Sequence, residues 1–83
     1  MRNPVRKISQ ENDWSASELS LISDLSPSCI YQNLSGANRE VSPELLVAFE
    51  EAGYDPEKIQ AEYQEYRRQK RLEMLKVRKN SAK

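Results

Sequence analysis

The sequence predicts an all-α protein: a compact five-helix bundle carrying a helix-turn-helix, with the fifth helix extended into a basic tail. Three observations carry that expectation. Five helix-start signatures follow one another along 83 residues. No stretch alternates apolar and polar residues with the period of two that a half-buried strand shows. The chain holds two glycines, and Gly36 and Gly53 fall where helices should stop.

Asn3-Pro4 opens the first helix, expected over 4–12 with Val5 and Ile8 inward. Ser15-Ala-Ser-Glu18 is a capping box and opens a second over 16–23, with Leu19 and Ile22 facing the core. Ser26-Pro27 opens a third over 27–35, with Ile30 and Leu34 at i, i+4. Ser42-Pro43 opens a fourth over 43–52, with Leu45, Leu46 and Phe49 inward. Asp55-Pro56 opens the fifth, with Ile59, Tyr63 and Tyr66 on one stripe. Proline suits the first helical position because that N–H has no intrahelical partner to lose. Trp14 is expected to plug the core between the first two helices, and Cys29 to be a small, half-buried residue.

After Tyr66 the apolar register breaks. Leu72, Met74, Leu75 and Val77 lie among Arg67, Arg68, Lys70, Arg71 and Lys76. The expected division is therefore a helical domain over 1–66 and a basic, helical extension over 67–83 that ends in disorder from Asn80.

Composition excludes several classes. No apolar run approaches the roughly 18 residues that suggest a membrane span, and the N-terminus has no signal-peptide core. A cytoplasmic protein is expected. One cysteine and no histidine rule out a disulfide framework and histidine-based triads, and leave no zinc site. Glu50 and Glu51 are sequence neighbours and point in different directions on a helix. No catalytic activity, metal or cofactor is expected.

A net charge of zero conceals a division. Residues 1–12 carry Arg2, Arg6 and Lys7 against Glu11, a net +2. Residues 13–62 carry ten acids against Arg39 and Lys58, a net −8. Residues 63–83 carry eight bases against Glu65 and Glu73, a net +6. A polyanion should meet the two ends first.

Asp24-Leu25-Ser26 joins the second and third helices, giving a helix-turn-helix pattern. Such a turn usually needs one residue at positive φ, and Asp24 tolerates that better than most non-glycine residues. The ordered segments Asn3-Pro-Val-Arg-Lys7, Trp14-Ser-Ala-Ser-Glu-Leu19, Leu25-Ser-Pro-Ser-Cys-Ile30, Leu34-Ser-Gly36, Val41-Ser-Pro-Glu-Leu-Leu46 and Gly53-Tyr-Asp-Pro-Glu57 together resemble the Cro/CI-type (XRE-like) helix-turn-helix family over roughly residues 3–66. The resemblance implies a five-helix DNA-binding domain, often a homodimer, acting as a transcription regulator or repressor of the phage, prophage or plasmid kind. It implies that the third helix enters the major groove of double-stranded DNA. Carried over by position, Ser28, Tyr31 and Gln32 are the base-reading candidates; Gln32 can pair bidentately with adenine. Arg6, Lys7, Ser26, Asn38 and Arg39 are the phosphate candidates, supplemented by Arg67, Arg68, Lys70 and Arg71. Three positions depart from the family: Pro27 stands where relatives often carry Gln or Arg, Ala16 where they often carry a phosphate-binding Gln, and Asn33 where many have an apolar residue, which a helix shifted by one position would explain, with Leu34 filling the core. The third helix also holds no Lys or Arg, although phosphate neutralisation supplies most non-specific affinity. The alternative reading is a protein-interaction module, an antirepressor or adaptor, with an acidic central face and another regulator as its partner.

Overall fold

A serine, asparagine or aspartate before proline starts four of the helices in the structure, a computed structural model. It describes the backbone of residues 2–81 and the side chains of residues 2–76. The elements are α1 (Pro4–Glu11), α2 (Ala16–Ser23), α3 (Pro27–Ser35), α4 (Pro43–Glu51) and α5 (Pro56–Ser81). The protein is all-helical, and among the described residues there is no strand.

The caps at Asn3, Ser15 and Ser26 work as the sequence predicts, whereas Ser42 makes no side-chain cap to α4. Val5 N–H donates to Asn3 Oδ1 at 2.8 Å. Ser15 and Glu18 complete a reciprocal capping box. Cys29 N–H donates to Ser26 Oγ. Asp24 takes φ 58°, ψ 32° between α2 and α3, and Gly36 ends α3 at φ 84°. A Cβ on Gly36 would lie 2.8 Å from Tyr66 Cε2, so α5 requires glycine there.

α2 packs on α3 and α4, while α1 and α4 pack on α5. Val5, Ile8, Leu19, Ile30, Val41, Leu45, Phe49, Ile59 and Tyr63 form the buried core. Two sequence expectations, for Ile22 and for the register of α3, are corrected here. Ile22 is not in the core: it is 41% exposed, and its neighbour Leu21 83%. The inward stripe of α2 is instead Ala16, Leu19, Ser20 and Ser23, whose small members let neighbouring helices approach closely. Trp14, in the link between α1 and α2, is half-buried and packs against the core. Its ring stacks on Phe49 of α4 at 6.3 Å between centroids. The third helix is not shifted by one position: Asn33 itself is fully buried, and Leu34 is half-buried.

α5 differs from the expected pattern at its end. Its 26 residues form one helix through Ser81, so Asn80 and Ser81 are not a disordered end. Arg, Lys, Gln, Leu, Glu and Met sustain it, all good helix formers. Ala82 and Lys83, the rest of that expected end, lie outside the described residues. At about 1.5 Å per residue α5 spans about 39 Å, and it accounts for the longest of the molecular extents, 48 × 24 × 20 Å. Among the described residues no helix is long and apolar enough to cross a membrane.

Candidate nucleic-acid interface

α3 is held by one face and presents the other. Ile30 and Asn33 are buried. Ser28, Tyr31, Gln32 and Ser35 are exposed and share one face by their i, i+3, i+4, i+7 spacing. Among the described residues the side chains of Ser28, Tyr31 and Gln32 make no hydrogen bond within the chain, and Tyr31 is 61% exposed. The face is polar and uncharged. A base edge could therefore be met without first breaking an internal bond.

The buried Asn33 side chain fixes this helix to the next one. Its Nδ2 donates to Cys29 O at 2.8 Å and to Ser42 Oγ at 3.0 Å. Its Oδ1 accepts from Ser42 N at 2.9 Å. The Ser42 hydroxyl is engaged there and makes no side-chain cap to α4. Asn3 supplies a second tie, with Nδ2 donating to Asn33 O at 2.9 Å and Leu34 O at 3.0 Å. Together these satisfy carbonyls that the last turn of α3 leaves free.

The predicted cations separate. Arg6 reaches the C-terminal end of α3, its Nη2 3.5 Å from Leu34 O. Lys7 lies on the other side of α1, in a groove toward α5 that is also lined by Glu11, Asp55 and Glu62. Arg39 is exposed on the loop after α3. Asn38 is half-buried, its carbonyl accepting from Tyr63 Oη at 2.9 Å. Ser26 spends an oxygen lone pair on the α3 cap, and its O–H remains a donor. Arg68 pairs with Glu65 at 3.2 Å. Gln69 donates to the same carboxylate at 3.0 Å, and that bond, helped by Arg68, holds the Glu65 carboxyl below its ordinary range. Lys70 and Arg71 are exposed and line a groove with Ser35 and Gly36, next to the end of α3.

Arg67 behaves differently from the rest of the basic extension. Its Nε donates to Gly36 O at 3.0 Å and its Nη1 to Arg39 O at 3.3 Å. It belongs to a ladder that the sequence analysis missed. Gln60 brackets Val41, accepting from its N–H at 2.9 Å and donating to its carbonyl at 3.3 Å. Tyr63 holds Asn38 O, and Gln64 holds Arg39 O at 2.6 Å. Positions 60, 63, 64 and 67 share one face of α5, so one helix face fixes the whole loop from Gly36 to Val41. The i, i+3, i+4, i+7 spacing of long polar donors beside a core stripe was the available signal.

Cations thus gather at the C-terminal end of α3, where the helix dipole favours them, and the candidate base readers begin at its N-terminal end. The comparisons add no relative to this geometry: no protein-family model, curated protein or solved structure matches the chain.

Proposed function

We propose that this chain is a sequence-specific DNA-binding transcription regulator of the Cro/CI helix-turn-helix kind, with α3 as the helix that enters the major groove. The observation that carries this reading is the outer face of α3. Ser28, Tyr31 and Gln32 stand exposed and internally unbonded on a helix that follows a three-residue turn with a left-handed Asp24. Gln32 reads adenine, Ser28 donates to a base or phosphate, and Tyr31 meets a phosphate or a thymine methyl. Arg6, Arg39, Lys70 and Arg71 serve phosphates from the C-terminal end of α3. Two copies reading half-sites about one helical turn apart would give a two-fold operator.

The test is selection from a random duplex pool at low and at physiological salt. The expected result is an enriched, two-fold symmetric motif that survives physiological salt. Gln32→Ala should keep non-specific binding and relax preference at one base pair by about 1–3 kcal/mol. Binding that is unselective and vanishes at physiological salt would overturn the proposal. That outcome would favour the second reading, a protein-interaction module. The uncharged face of α3 and Leu21, 83% exposed on the neighbouring α2, are what support it.

A further inference from the structure

The outer part of α5 carries apolar side chains that the bundle does not use. Among the described side chains, Tyr63 is the last fully buried residue of the helix. Beyond it Leu72, Met74 and Leu75 are 48%, 62% and 55% exposed. They lie among Lys70, Arg71 and Lys76, all exposed, and the only ion pair among the described residues is Arg68–Glu65. Lys70, Arg71, Met74 and Leu75 line one open groove with Gly36 and Tyr66. A surface that only gripped phosphates would gain nothing from Leu72, Met74 and Leu75. Its occupant should offer acids around an apolar centre.

The chain itself has such a surface. Val47 on α4 is 56% exposed. Glu44, Glu50 and Glu51 are exposed too, at i−3, i+3 and i+4 from Val47 and so on its face. Within one molecule no hydrogen bond or ion pair among the described residues joins this face to the outer part of α5. The full chain carries zero net charge, so long-range repulsion does not keep copies apart.

We propose that the outer part of α5 docks on the acidic face of α4 in a second copy of this chain. Lys70 and Arg71 meet Glu50 and Glu51, and Met74 and Leu75 cover Val47. The contact runs head to tail, and a pair leaves the α4 face of one copy and the α5 patch of the other free for a further copy. This association needs no DNA and does not depend on the function proposed above.

Sedimentation velocity of the full chain, freed of nucleic acid, tests it at about 50 mM and about 1 M salt, where screening lengths differ several-fold. At low salt the mean mass should rise with concentration, and at high salt it should return to that of a monomer. The double variant Lys70→Glu, Arg71→Glu should stay monomeric alone, as should Glu50→Lys, Glu51→Lys. An equimolar mixture of the two should associate again. Circular dichroism checks that each variant is folded. If one is not, Lys70→Gln, Arg71→Gln replaces the first pair and should lower the association. A wild-type monomer at low salt overturns the proposal, as does association that persists in a reversed variant alone, a mixture that stays monomeric, or no effect of the Gln pair.

Discussion

The carboxamide of Asn33 is fully buried and uses both its ends, Nδ2 toward Cys29 O and Ser42 Oγ and Oδ1 toward Ser42 N. Asn33→Ala would leave the Ser42 N–H without its acceptor inside the protein and open a small void. An unsatisfied buried donor costs about 1–3 kcal/mol, so urea unfolding should show a loss of that order. Asn33→Leu should not restore it, because leucine fills the space but leaves the same N–H unpaired. A midpoint for Asn33→Leu at or above wild type would show that the bonds contribute nothing net. This residue was only half legible in the sequence. Its position marked it as inward, but its polarity argued for a shifted helix. The partner that makes a buried asparagine tolerable, Ser42, lies nine residues away and carries a cap signature of its own. Ile22 misled in the opposite way, because an apolar side chain can stand in water without penalty to the fold. The positive φ of Asp24 was legible, since the link between two helices had three residues and no glycine. The same conformation at Asp13, φ 56°, carried no comparable signal.

At the scale of elements, the five helices were legible because their starts are chemical. Each cap or proline acts within three or four residues, and no distant contact decides it. The ladder on α5 was not legible, because glutamines and an arginine on a helix read as solvated surface until the loop they bind is placed. Its effect separates two parts of one helix. Arg67→Ala removes two charge-assisted bonds to carbonyls and should destabilise by about 1–3 kcal/mol. Removing residues 70–83 takes away side chains that are exposed where described, and should cost less than about 1 kcal/mol, within the range of surface changes. Thermal unfolding of both variants checks the contrast. A truncation more damaging than Arg67→Ala would show that the outer part of α5 supports the bundle. The candidate site was legible in part: the outer face of α3 follows from spacing. The separation of Arg6 from Lys7 does not follow from their both being phosphate candidates, because adjacent residues point about 100° apart on a helix.

For the molecule as a whole, the charge division and the core respond to different conditions. The Tyr63 hydroxyl is pushed above its ordinary pKa of 10.0 by burial, with Tyr66 adding to the rise and Arg67 opposing it. The folded state therefore keeps that proton at a pH where the unfolded chain has released it. The stabilisation is complete below pH 10.0 and is lost as pH rises through the folded value. Unfolding temperature should fall as pH rises above 10.0, and Tyr63→Phe, which has no proton to lose, should fall less over the same span. Parallel curves for the two proteins would refute the role given to Tyr63. The surface charges answer to salt instead: most of the described charged side chains are exposed, and a Debye length of about 8 Å at physiological ionic strength screens them.

The bracket of Gln60 on Val41 has a kinetic meaning as well. The Val41 N–H donates to a side chain of α5, not to a backbone carbonyl of its own segment. Its deuterium uptake is therefore timed by the undocking of α5 and not by the fraying of any helix that contains it. The Ser42 N–H, bonded to Asn33, is timed by the departure of α3 in the same way. Two adjacent amides thus act as separate clocks, one for each helix that meets at this loop. A molecule bound along α3 or α5 would slow one and leave the other running.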